Sequence, residues 1–240
     1  MTETRRLYYE DVYKKEFTAT VVECRERKKG YAIILDESAF YPEGGGQPSD
    51  MGTLGDAKVT EVHEKDGELL HYTDKALEVG MKVEGKIDWT RRFDLMQQHS
   101  GEHMVSGIIH AKYGYDNVGF HMGGDVITVD LNGMLDEAQL AEIEQEVNER
   151  VWEDKEVQIT YPTAEELQAL DYRSKKELTG QVRIVTFPGV DVCACCGTHV
   201  THTGEIGMVK LLSVVKFRDG IRMEMICGKR VLDYLNMVNE

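Results

Sequence analysis

His99 and His103 stand four residues apart, and Cys195 and His199 repeat that spacing inside the run CCGTH. On a helix, side chains four apart leave the same face roughly 40° from one another, close enough to share one ion. Three imidazoles and a thiolate form a donor set that suits zinc, a borderline-soft ion with no redox chemistry of its own. Each half alone is a weak signal, because an HxxxH pair is more often two ordinary core or surface histidines. Two such halves within one stretch of chain make Zn2+ the expected cofactor. The five cysteines, Cys24, Cys193, Cys195, Cys196 and Cys227, are odd in number and three of them crowd into CACC, which disfavours a disulfide framework. Cys193 and Cys196 therefore stand as alternative thiolates, and a cysteine nucleophile paired with His199 is the competing chemistry. Glu102, inside HSGEH, has the wrong spacing for an HExxH protease.

These residues need elements to hold them. The stretch TRRFDLMQQHSGEHMVSGIIHAKYG carries apolar residues at Phe93, Met96, Met104, Ile108 and Ile109 with few breakers, which predicts a helix bearing both histidines. Ahead of it, TATVVEC, YAIILDE, KVTEVHE, ELLHYTD and KVEGKID alternate as short strands separated by turns such as Lys29-Gly30 and Asp66-Gly67, implying a small antiparallel barrel or sandwich. FYPEGGGQPSD at 40–50 interrupts them as a loop, read either as backbone approached closely by a ligand or as a tight crossover. After the helix come VITVDLN, an amphipathic helix through Leu135, Leu140, Ile143, Val147 and Val151, VQITYPT, a short helix over AEELQAL, a basic turn and QVRIVTF. The cysteine cluster, GMVKLLSVVKF, an Asp219-Gly220 hairpin and RMEMICG complete the order. The fold class is α+β, a small N-terminal antiparallel β-barrel (1–88) followed by an α+β domain (89–240) with mixed or antiparallel sheet and packed helices.

The chain has 240 residues, 41% of them apolar, and no run of 18 consecutive apolar residues, so it reads as a globular, cytoplasmic protein. Its net charge of -15 argues against broad nonspecific binding to nucleic acid. Acidic residues concentrate at 136–156, however, while basic pairs recur at 27–29, Arg91 with Arg92, Lys175 with Lys176, and Lys216 with Arg218.

HSGEH, NVGFHMGGDVITVDL, CCGTHVTHTGEIG and the upstream FYPEGGGQPSDMG together resemble the AlaX family of free-standing editing proteins and the editing domain of alanyl-tRNA synthetase, over nearly the whole chain. The resemblance implies zinc ligands at His99, His103, Cys195 and His199. The family more often has CGGTH, so Cys196 replaces its first glycine. The length is similar to the medium-length type, without the C-terminal tRNA-binding domain of long forms. Contact with the acceptor end of alanine tRNA is then expected from the editing domain and the barrel, through Gly44, Gly45, Gly46, Gln47, Arg91 and Arg92.

The activity implied is hydrolysis of the ester joining serine, or glycine, to the terminal ribose of alanine tRNA. Zinc serves such a reaction only if one coordination position stays open, so three firm ligands are expected with His199 or a cysteine weaker. Selecting serine requires a built-in partner for its hydroxyl. Asn117, two residues before Gly119, and Thr198 are the candidates, acting beside His99 and His103; a turn role in YGYDN is the other reading of Asn117. His121 lies on the matched segment, while His202 reads as surface. The alternative function is a noncatalytic, zinc-stabilised tRNA-binding module.

Overall fold

The computed structural model describes residues 3–174 and 180–239, so the basic pair Lys175 and Lys176 lies outside the described residues. The chain divides into two compact units, Met1–Phe93 and Asp94–Glu240.

The first unit is built on a closed six-stranded barrel. Its strands are β1 (Glu16–Glu26), β2 (Tyr31–Leu35), β3 (Gly52–Leu54), β4 (Ala57–Lys65), β5 (Glu68–Thr73) and β6 (Lys82–Ile87), joined in the order β1-β2-β5-β4-β3-β6, every pair antiparallel. Alternation decides which face is inward. Phe17, Ala19 and Val21 of β1 and Val83 and Ile87 of β6 point into a core completed by Ile33, Leu35, Leu54 and Leu69. Phe17 lies opposite Gly85, where a Cβ would come within 2.3 Å of its ring. The three-residue strand β3 closes the barrel by pairing with both β4 and β6. It is too short, and too polar at Gly52 and Thr53, to announce itself by alternation.

The second unit is α+β. Helix α1 (Trp89–Tyr113) contains the division between the units and ends at Gly114, whose positive φ of 68° closes the helix through an amide bond to His110 O at 2.9 Å. Strands β7 (Asn117–Met122), β8 (Ile127–Leu131), β12 (Val209–Phe217) and β13 (Gly220–Cys227) form one antiparallel sheet in the order β12-β13-β8-β7. Strands β9 (Gln158–Thr160), β10 (Ile184–Phe187) and β11 (Asp191–Ala194) form a second, also antiparallel. Helices α2 (Glu137–Trp152), α3 (Ala164–Ala169) and α4 (Lys229–Val238) complete it. Helix α2 begins at a capping box in which Gln139 N donates to Asp136 Oδ1 at 2.8 Å and Asp136 N donates to Gln139 Oε1 at 2.9 Å. Among the described residues, no helix is long and apolar enough to cross a membrane.

Helix α1 is buried all round through its middle. Every residue from Leu95 to Ile109 is buried, including Gln97, Gln98, His99, Ser100, Glu102, His103 and Ser106. A polar helix survives burial only if its side chains find partners. Gln97 donates to Glu205 O, while Gln98 donates to Cys227 O and accepts from Cys227 N, both at 2.8 Å. Gly101 lets Cys227 approach, since a Cβ there would meet the thiol at 2.2 Å.

Candidate metal centre

One face of α1 presents His99 and His103, and the loop after β11 brings Cys195 and His199 to them. One ligand atom from each of the four falls within 4.8 Å of all the others. His99 Nε2 and His199 Nε2 stand 3.5 and 3.4 Å from Cys195 Sγ. The three histidines are buried, Cys195 is half-buried, and Cys196 is exposed. Of the three crowded thiols, Cys195 is the one that meets both His99 and His199. Buried Cys193 joins a separate grouping with His103 and Asp191.

The supports of this cluster were not legible from spacing. Arg183 on the way into β10 donates to Cys195 O at 2.8 Å and Gly197 O at 3.0 Å, fixing the CCGTH loop. Gly197 N donates to the Cys195 sulfur at 3.3 Å. Ser100 Oγ accepts from Val200 N and lies 3.1 Å from His199 Nδ1. His103 Nδ1 donates to Asp191 Oδ2 at 2.9 Å, and Arg173 holds the same carboxylate. Phe120 stacks on His99 with ring centres 5.5 Å apart, and Phe187 lies against His103 and His199 at 5.7 and 5.6 Å.

Electrostatics follow from this crowding. Burial opposes a charged Cys195 sulfur, but His99, His199 and His103 overcome it and hold the thiol well below its usual range. Burial, then neighbouring His99, pushes His199 down to about 3. Burial also acts against charge on His103, yet the Cys195 sulfur and the Asp191 carboxylate prevail and raise it. A thiolate beside a neutral imidazole is the ionisation state that metal ligation requires. Three imidazoles and a thiolate with converging donor atoms fit a zinc ion by number and chemistry.

The other expected site residues fall in different places. Asn117, at the start of β7, is buried; its Nδ2 donates to Glu102 Oε1, and its Oδ1 accepts from Gly119 N at 3.1 Å. Glu102 Oε1 also accepts from Ser106 Oγ at 2.6 Å, so Glu102 anchors an internal network. Thr198 is buried beside His199. His121 and His202 are exposed. A cleft of about 900 Å³ is lined by residues including Gly107, Asn117, Gly119, Tyr172, Arg173 and Asp191.

In the first unit, Gly44 to Gln47 make a tight turn with mutual backbone bonds of 3.1 and 3.0 Å; Gly45 and Gly46 have φ of 62° and 83°. Two successive positive φ values are the type I′ geometry that favours glycine. The turn leaves Gly45 and Gly46 exposed, and Arg91 is half-buried, donating to Ser49 O at 3.1 Å. Two of the residues expected to contact tRNA lie in the interior of the unit. Gln47 is fully buried. Arg92 is fully buried as well, paired with Asp50 and donating to Val12 O and Ala39 O at 3.0 and 2.6 Å, so its charge is spent inside the unit.

Residues 182–222, which carry the CCGTH loop, match the threonyl and alanyl tRNA synthetase second additional domain, and residues 2–91 match the class II (A) tRNA synthetase family. The barrel and the CCGTH loop thus lie in stretches that match class II synthetase families. The chain is 32% identical to mouse alanyl-tRNA editing protein Aarsd1 over 94% of its length, covering 59% of that protein. It is 35% identical to the Pyrococcus horikoshii alanyl-tRNA editing protein AlaX-L over 97% of its length, covering 60% of that relative. Against the alanine–tRNA ligase of Methanobrevibacter smithii it is 36% identical over 99% of its length, covering 28% of the ligase. The chain is similar to the AlaX-type alanyl-tRNA editing proteins, and it spans about three-fifths of the length of the curated editing relatives named here.

Proposed function

We propose that this chain removes a wrongly attached amino acid, serine or glycine, from alanine tRNA by zinc-assisted hydrolysis of the ester. The observation that carries the reading is the convergence of His99, His103, Cys195 and His199 in a chain related to editing proteins. A bound zinc ion supplies Lewis acidity toward the ester carbonyl and lowers the pKa of a water toward about 7.

The protein's own residues do the rest. With Ser100 Oγ accepting a hydrogen bond from the Nδ1–H of His199, the Nε2 lone pair faces the cluster. Gly197 N steadies the Cys195 sulfur. Phe187 and Phe120 shield the imidazoles from water on one side, while half-buried Cys195 gives the centre its opening. The Asn117 amide is held by Glu102 with Oδ1 on Gly119 N, and that oxygen keeps a second lone pair for the serine hydroxyl. Thr198 is the second hydroxyl-reading candidate. Gly45 and Gly46, with Arg91, are proposed to meet the tRNA from the barrel.

The test is release of amino acid from serine-charged and alanine-charged alanine tRNA. Wild-type protein is expected to release serine and spare alanine, and His103→Ala to release neither. Serine release undiminished in His103→Ala, or none by the wild type, would sink the reading.

A further inference from the structure

His103 is held from behind. Its Nδ1 lies 2.9 Å from Asp191 Oδ2, and both residues have side chains no more than 2% exposed. Arg173 grips the same carboxylate with two bonds, Nε to Oδ1 at 2.7 Å and Nη2 to Oδ2 at 2.9 Å. We propose that Asp191, locked by Arg173, is the positioning residue that fixes the tautomer and ring orientation of His103, and so sets the affinity of the centre for its metal. This rests on the metal-centre part of the proposed function, not on the substrate.

A carboxylate accepts and cannot donate, so Nδ1 keeps its hydrogen and Nε2 is the nitrogen that gives up its proton to a metal ion. A metal-ligating histidine with its second nitrogen on a carboxylate has one tautomer and one ring angle available, which prepares the site before the metal arrives. Arg173 does the same one step further out, since a planar fork on a carboxylate allows little rotation. Its side chain is not needed to hold the strand. The backbone already does this, through Arg173 N to Val192 O at 2.8 Å and Ala194 N to Arg173 O at 3.0 Å.

The helix is shaped to admit this arrangement. Gly107 lies one turn beyond His103 on the same face of α1. A Cβ there would stand 2.5 Å from Val190 O and 2.7 Å from Asp191 Cβ. With any larger residue, the start of β11 must move off the helix and carry Asp191 away from His103.

The test is metal affinity by chelator competition, using zinc and then cobalt(II), whose absorption reports ligand geometry. Asp191→Asn is expected to bind about 10- to 100-fold more weakly, with an altered cobalt spectrum. Arg173→Lys and Gly107→Ala, which keep every charge, are expected to shift affinity in the same direction by a smaller factor. In a His103→Ala background, Asp191→Asn is expected to cost less than about twofold, because the ring it positions is gone. Wild-type affinity in Asp191→Asn, or the same fold loss with and without His103, overturns the proposal. If Asp191→Asn fails to fold, as judged by melting of the metal-free protein, Arg173→Lys and Gly107→Ala decide it: wild-type affinity in both overturns it. A protein showing these affinity shifts but releasing no amino acid loses the editing reading and keeps this one.

Discussion

His71 sits in the barrel wall with both ring nitrogens committed. Its Nδ1 meets Ile33 O at 3.0 Å, and since a carbonyl only accepts, the hydrogen is on Nδ1; Nε2 therefore accepts from Ser38 Oγ at 2.7 Å. Burial pushes its pKa down to about 4, against a partial opposing effect of the Ile33 carbonyl. The folded barrel thus declines a proton that the unfolded chain takes up below about 6.5. The stability this residue allows is complete above that value and is lost as pH falls from about 6.5 through about 4, amounting to roughly 3 kcal/mol. Denaturant unfolding followed across that range should show the decline, and His71→Gln, which has no titrating group, should flatten it; an unchanged slope in the variant would refute the assignment. At this scale the sequence was legible where type and spacing bring donor atoms together, as with His99, His103, Cys195 and His199. It was illegible where a residue matters through a partner far along the chain. Nothing near Arg92 signals Asp50, and nothing near His103 signals Asp191, because charged residues at such positions are ordinarily solvated.

Elements were legible in proportion to their length and the regularity of their alternation. The long strands of the barrel and helix α2 obey their periods. The short closing strand β3 does not, and β7 was hidden behind turn-like residues at Tyr115, Asp116 and Asn117. Helix α4 follows Gly228, whose φ is 58°, and buries Val231 while exposing Leu232, Leu235 and Met237. Helix α1 was legible from its apolar residues, while the polar pairing that lets Gln97, Gln98 and Ser100 be buried beside them was not. The edge strand β12 illustrates how an element is held by side chains. Asn148 of α2 donates to Val209 O at 2.9 Å and accepts from Val209 N at 2.8 Å, while Glu144 accepts from Leu211 N at 2.7 Å. Helix α2 thereby occupies part of a strand edge that would otherwise be open. Asn148→Ala leaves a buried amide and carbonyl without these partners and should cost about 2 kcal/mol. Amide hydrogen exchange should quicken at Val209 more than at Leu211. Equal protection in variant and wild type would show that the strand is held by its sheet alone.

At the scale of the molecule, the two units differ in what stabilises them. The first has an apolar core of its own within the barrel. The second gathers three buried imidazoles and a thiolate around one point, where desolvation is costly until a cation compensates it. Binding free energy at such a centre is folding free energy. A metal present at about 1,000 times its dissociation constant adds roughly 4 kcal/mol to the unit that holds it and nothing to one that does not. Chelation should therefore lower the calorimetric transition of the α+β unit and leave that of the barrel in place, so that unfolding departs further from a single two-state event. Cys195→Ser should behave like chelated protein even with zinc supplied. Cys196→Ser should behave like the wild type, because Cys196 is exposed and outside the four-residue grouping. A transition that chelator does not move, or one moved equally by the two serine variants, would remove zinc from the centre of this fold and the ester chemistry with it.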